Sequence, residues 1–220
     1  MHIADITLGM LGADGIVGGG IPLAVGAALG TRIKGGNSVV FCFFGEGASN
    51  QGSFHEALNM AAICRLPVVF ICENNLWALS APFAKTTAGE SVAHRATAYG
   101  IPGEKVDGND VEAVFKAVDA AATLARRGAG PSLLECETYR WEGHSIFTRV
   151  EMRPQEEIHE WKERDSIALY RRRLLDLKIT TAESLHHIEL EVSKAVADAV
   201  IFAKNSAAPC TATAFEDVYL

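Results

Sequence analysis

The stretch SVVFCFFGEGASNQGSFHEALNMAAICRLPVVFICENN, residues 38–75, decides how this chain folds. Its two ends are apolar runs rich in β-branched and aromatic residues, Ser38 to Phe44 and Leu66 to Cys72, and each reads as a buried strand. Between them Phe54, Ala57, Leu58, Ala61 and Ala62 recur at helical spacing, which predicts a helix from Gln51 to Cys64. Strand, turn, helix and strand make a βαβ unit with parallel strands. The turn Gly45-Glu46-Gly47-Ala48-Ser49-Asn50 and the pair Asn74-Asn75 then share one end of the sheet, the end at which open α/β sheets bind ligands.

Upstream, residues 1–20 are glycine-rich and irregular, and Pro22 opens a helix of small residues, Leu23 to Arg32. Its alanines and glycines imply close packing, which motivates the expectation of a homodimer. Downstream, a loop to Glu90 precedes a short helix, Ser91 to Tyr99, and a strand end at Val106-Asp107-Gly108. Asn109 or Asp110 caps a helix from Val111 to Arg126, Pro131 to Glu137 forms the next strand, and Arg140 to Pro154 is polar and irregular. Two helices follow, Gln155 to Leu177 and Ala182 to Lys204, then an extended tail from Asn205.

With 220 residues, 49% hydrophobic and 21% charged, the chain reads as one α/β domain with enough apolar material for a core. A net charge of -7 and a pI near 5.5 leave no basic face for nucleic acid. Five cysteines, odd in number and without C-x-x-C spacing, read as reduced thiols of a cytoplasmic protein. No apolar run reaches the roughly 18 residues that a membrane-spanning helix needs.

A Gly-x-Gly turn leaving a strand points backbone N–H groups into the crevice and admits a phosphate. Glu46 would repel that phosphate unless a cation lay between them. Mg²⁺ suits the role, because it takes carboxylate and phosphate oxygens together, and the amide oxygen of Asn75 is a second ligand from the neighbouring strand end. A dinucleotide site is the competing reading, since Gly45-x-Gly47 follows a strand and Glu73 ends the next one. That fingerprint fails where it wants a small residue and this chain has Asn50.

The run from Gly45 to Pro82, GEGASNQGSFHEALNMAAICRLPVVFICENNLWALSAP, resembles the thiamine diphosphate motif of the α subunits of 2-oxo acid and acetoin dehydrogenases. These are the decarboxylating first components of their multienzyme complexes. Gly12-Ala13-Asp14-Gly15-Ile16-Val17-Gly18 resembles the family's G-x-N-G-I-V-G block, and Tyr139-Arg140-Trp141 with Gly143-His144-Ser145 its Y-R-x-x-G-H-S block. The helix QEEIHEWKERDSI follows in the same order, so the resemblance covers nearly all of the chain.

The resemblance implies a three-layer thiamine diphosphate-binding fold over residues 1–220, with a mostly parallel sheet and helices on both faces. It implies that Glu46, Asn75 and the backbone carbonyl of Trp77 hold Mg²⁺, while Gly45, Gly47 and Ala48 lie against the diphosphate. Gly15 and Val17 would meet the aminopyrimidine through their backbone. His144 would reach the diphosphate or the reaction centre and orient an intermediate or assist a proton transfer. The cofactor would lie between this chain and a β subunit, and the acyl group would pass to a lipoyl-bearing acyltransferase, in a homodimer or a two-α two-β assembly. Ala78-Leu79-Ser80 leans toward the branched-chain or acetoin types.

Three features depart from the family pattern. Glu46 stands where the family has Asp, and its extra methylene adds about 1.5 Å of reach. Family members carry a long segment before the block that begins here at Met1-His2, and it supplies a cation to the diphosphate. Ile146-Phe147-Thr148-Arg149 replaces a common Asp-Pro, which bears on substrate gating. A cofactor-free structural or regulatory relative is therefore the alternative to a catalytic α subunit.

Overall fold

Four parallel strands form the sheet, in the order β1 (Val40–Gly45), β2 (Val68–Asn74), β6 (Ser132–Glu137) and β5 (Gly103–Asp107). The computed structural model describes residues 3–13, 15–147 and 151–216. Asp14, Thr148 and Arg149, all inside expected motifs, lie outside the described residues, as do Met1 and His2. The chain divides into two compact units, Met1–Ser166 and Ile167–Leu220.

In the first unit, α1 (Gly20–Ile33) leads to β1 (Val40–Gly45), a five-residue 3-10 turn (Glu46–Asn50), α2 (Gly52–Ile63) and β2 (Val68–Asn74). The segment to Glu90, expected as a plain loop, contains a small antiparallel ribbon. Strand β3 (Trp77–Ala78) pairs with β4 (Ala81–Pro82), and the short α3 (Phe83–Thr86) follows. A 3-10 helix, Ala93–Tyr99, then precedes β5 (Gly103–Asp107), α4 (Val111–Arg126), β6 (Ser132–Glu137) and α5 (Gln155–Glu163). Asp110, rather than Asn109, caps α4, its Oδ1 accepting the N–H groups of Glu112 at 3.0 Å and Ala113 at 3.1 Å.

Helices cover both faces of the sheet, as expected. On one face Ile21 and Val25 of α1 and Phe54 and Leu58 of α2 pack on Phe44, Phe70, Cys72 and Leu133. Each fully buried side chain of this size contributes about 1.5–3 kcal/mol. On the other face Ala117 and Ala121 of α4 meet Val69, Ile71, Val106 and Leu134. The close packing expected of α1 comes from Ala24 and Ala28, which are buried. A Cβ added at Gly26 or Gly30 would meet nothing within 4 Å.

Strand β1 departs from the fully buried strand that its composition predicts. It stands at the sheet edge, and Phe41 and Phe43 lie exposed outside both core clusters. The long helix expected from Gln155 to Leu177 is also broken. The Arg164 carbonyl accepts Nδ2 of Asn109 at 2.8 Å, and its guanidinium lies 4.3 Å from the Trp161 ring centre, so the chain leaves helical geometry there.

The second unit holds α6 (Ser166–Asp176) and α7 (Ala182–Asn205), tied by an Arg171–Glu189 ion pair. Thr181 caps α7 by accepting the Ser184 N–H at 3.2 Å. The tail is not wholly extended, since Thr211–Phe215 forms a 3-10 turn. Cys42, Cys72 and Cys136 are free and buried in strands, and burial pushes the Cys42 thiol up to about 12. No helix among the described residues is long and apolar enough to cross a membrane.

Candidate functional site

The C-terminal ends of β1 and β2 lie side by side, with Gly45 in register with Glu73. Beyond them the two polar turns face each other. Glu46 is 2% exposed, its Oε2 accepts the Asn75 N–H at 3.3 Å, and its buried Oε1 has no hydrogen-bond partner. Burial pushes the Glu46 carboxyl above its ordinary value, against the opposing effect of its hydrogen bonds and of the nearby Arg140 cation.

The two asparagines divide their labour. Asn74 is fully buried, donating Nδ2 to Glu135 Oε1 at 2.7 Å and accepting the Leu76 N–H at 3.0 Å. Asn75 is half-buried and turns its Oδ1 toward the Trp77 N–H at 3.4 Å. Leu76 (φ 68°), between the asparagines and the ribbon, and Leu79 (φ 58°), in the turn that joins β3 to β4, take left-handed backbone geometry, uncommon for residues with a Cβ and frequent at functional turns.

Gly47 is needed where it stands, because a Cβ there would lie 2.9 Å from the Cβ of Ala78. At Gly45 and Gly52 an added Cβ meets nothing within 4 Å, so the crevice is open over them. Ala48 and Ser49 are buried, and the Ser49 hydroxyl donates to the Glu46 carbonyl at 2.6 Å.

Two arginines that motif reading did not single out as site residues, Arg95 and Arg140, brace these turns and the ribbon beside them, and a third, Arg153, holds the loop that carries Arg140. Arg95 donates to the carbonyl of Ser49 and, at 2.8 Å, to Oδ1 of Asn50. Arg140 donates to the carbonyls of Trp77 at 3.1 Å and Leu79 at 2.8 Å. Arg153, buried and paired with Glu151, donates to the carbonyls of Arg140, Trp141 and Glu142. Helix α5 completes the brace, as Glu157 accepts the Trp77 indole N–H at 2.8 Å.

The structure thus brings Glu46, Gly47, Ala48, Asn75 and Trp77 together. Gly15 and Val17 are exposed, Val17 at 62%, and no described contact ties them to Glu46. Their segment approaches α2, since a Cβ on Gly18 would lie 3.2 Å from the Ser53 hydroxyl. His144 is exposed on the loop that Arg153 holds. Among the described residues no group of three or more His, Cys, Asp or Glu side chains could hold a metal. The donors at hand are instead one carboxyl, one amide and backbone carbonyls. Such an all-oxygen set suits a hard cation that keeps waters or phosphate oxygens for its remaining positions. The orphaned Glu46 oxygen fits this role; the Trp77 carbonyl already accepts from Arg140 and has one lone pair left.

A parallel α/β domain with a carboxyl–amide pair at adjoining strand ends defines a class of crevice-binding proteins. The sequence model of the dehydrogenase E1 component family matches residues 1–211, and the chain belongs to that family. The α subunit of acetoin:2,6-dichlorophenolindophenol oxidoreductase from Bacillus subtilis is 46% identical over 221 residues, covering 100% of this chain and 66% of the relative. The pyruvate dehydrogenase E1 component subunit α of Rickettsia felis is 37% identical over 219 residues, covering 100% and 67%. The chloroplastic pyruvate dehydrogenase E1 component subunit α-3 of Arabidopsis thaliana is 38% identical over 225 residues, covering 100% and 53%. The chain spans between about half and two thirds of the length of these relatives. A solved structure of a candidate thiamin diphosphate-dependent enzyme from Mycobacterium smegmatis is 26% identical, with a TM-score of 0.46, over 60% of this chain and 24% of its own.

Proposed function

We propose that the chain is the α subunit of a thiamine diphosphate- and Mg²⁺-dependent E1 component acting on a 2-oxo acid, such as pyruvate or a branched-chain one, or on acetoin. The observation that carries this is the buried Glu46 carboxyl, with one oxygen unpartnered and the other on the Asn75 N–H, in a chain of this family. A buried carboxyl without a partner is costly, and a divalent ion supplies the missing charge.

Glu46, Asn75 and the Trp77 carbonyl would hold Mg²⁺. The backbone of Gly45, Gly47 and Ala48 would face the diphosphate, and that of Gly15 and Val17 the aminopyrimidine ring. When bound, thiamine diphosphate supplies the carbanion chemistry that cleaves the bond beside the substrate carbonyl. The protein's share is to bind and orient it, to keep water out, and to place His144 where its imidazole can move a proton. A β subunit would complete the crevice, and a lipoyl-bearing acyltransferase would receive the acyl group. The two-α two-β assembly, or a homodimer of α chains, belongs to the same proposal.

One observation favours the second reading, a cofactor-free structural or regulatory relative: Arg140 already occupies the Trp77 carbonyl and sets a cation beside Glu46. Thermal unfolding separates the two. With thiamine diphosphate and Mg²⁺ each at about 100 times Kd, linkage gives about 2.7 kcal/mol, or roughly 5–10 °C for a chain of this size. NAD gives no shift. No shift with the cofactor pair, with or without a candidate β subunit, supports the cofactor-free reading.

A further inference from the structure

Glu135 lies on β6, between β2 and β5, and is 0% exposed. Burying a carboxyl group is tolerated only when its oxygens are satisfied. Both are. Oε1 accepts from Asn74 at 2.7 Å, and Oε2 accepts the Ala93 N–H at 2.8 Å.

Each bond leads to one wall of the Glu46 site. Asn74 passes the constraint to the Leu76 N–H, at 3.0 Å, and so fixes the turn from which Asn75 sends its own N–H to Glu46. Ala93 opens the 3-10 helix that carries Arg95, and Arg95 grips Ser49 and Asn50 at the far end of the Glu46 turn. Gly103 lets that helix sit directly on β5, since a Cβ there would lie 2.3 Å from the Ala93 carbonyl oxygen.

We propose that Glu135 is a positioning residue: one buried carboxyl, touching neither turn's end directly, sets the distance between the two walls of the site. It is joined to them through Asn74 on one side and Ala93 with Arg95 on the other. Its geometry stands independently of the cofactor; its consequence for binding rests on the proposed function.

Amide hydrogen exchange on the full chain tests the geometry without any ligand. Leu at this position has no acceptor oxygen, so Glu135→Leu serves neither Asn74 nor Ala93 at similar side-chain size. Its exchange should rise about tenfold or more at residues 46–50 and 75–79 together, as each limb loses its buried bond. Leu133→Ala, on the same strand and fully buried, is the control for general destabilisation. It should raise exchange evenly across the sheet, with no excess at the two turns. Asn74→Ala should loosen only 75–79 and Arg95→Ala only 46–50, which decides the matter even if Glu135→Leu does not fold. Excess exchange at one turn or neither in Glu135→Leu, or limb variants that each loosen both turns, would overturn the proposal.

Calorimetry with thiamine diphosphate and Mg²⁺ forms the second arm. Supporting residues behind a metal ligand commonly matter by about 10–100-fold in affinity, so Glu135→Leu should lose that much while Leu133→Ala stays within about twofold. A wild-type chain that binds nothing counts against the cofactor reading, and the exchange result still decides for or against Glu135.

Discussion

Glu46 is a carboxyl group buried with one oxygen unpartnered, which a stable fold rarely tolerates without a reason outside the chain. Its two flanking glycines separate folding from binding. Gly47→Ala drives a Cβ against Ala78 and should destabilise the fold by about 1–3 kcal/mol. Gly45→Ala points its methyl into open space from ordinary extended backbone, and should change stability by less than about 0.5 kcal/mol. If the diphosphate packs on this turn, Gly45→Ala should nevertheless weaken thiamine diphosphate binding, and urea unfolding beside calorimetry measures both quantities. Glu46 and Asn75 were legible in the sequence because each is fixed by its own strand end. Glu135, Arg95 and the structural role of Asn74 were not, because their partners stand 42 to 61 residues away along the chain. The only sequence signal for Glu135 was an acidic residue inside an otherwise apolar strand, PSLLECE.

At the scale of elements, the segment after β6 shows how a polar, irregular stretch gains shape. Arg153 gathers the carbonyls of Arg140, Trp141 and Glu142, lies 5.3 Å from the Tyr139 ring centre and pairs with Glu151. Hydrogen bonds from the Arg153 side chain, and then its backbone, hold the Glu151 carboxyl down from 4.5 to about 2. The folded value lies below the unfolded one, so this contribution is complete above the ordinary carboxylate range. It is lost as pH falls from about 4.5 toward about 2. Proteolysis of the 139–147 segment should accelerate over that window and not above it, and Glu151→Gln should show the fast rate already at neutral pH. A segment whose cleavage ignores both changes is not held by this pair. The strands, α2 and α4 were legible from periodicity within single windows. The β3–β4 ribbon and the break at Arg164 were not, because a left-handed Leu76 and a captured carbonyl are set by tertiary contacts.

For the whole molecule, the βαβ reading of residues 38–75 carried the parallel sheet and its covered faces, and family membership agrees with the motif order. The position of β1 at the edge was hidden, since an apolar run announces burial without saying how many neighbours provide it. Phe41 and Phe43 therefore stand exposed, and a Cβ added at Gly45 would meet nothing within 4 Å. Crystals of the chain with a candidate β subunit, thiamine diphosphate and Mn²⁺ in place of Mg²⁺ give the most direct measurement, through the anomalous signal of the metal. The account predicts a single strong peak within coordination distance of the Glu46 carboxyl and the Asn75 amide oxygen. A bound cofactor whose metal lies elsewhere, or crystals in which Glu46 keeps only the Asn75 N–H, would contradict it.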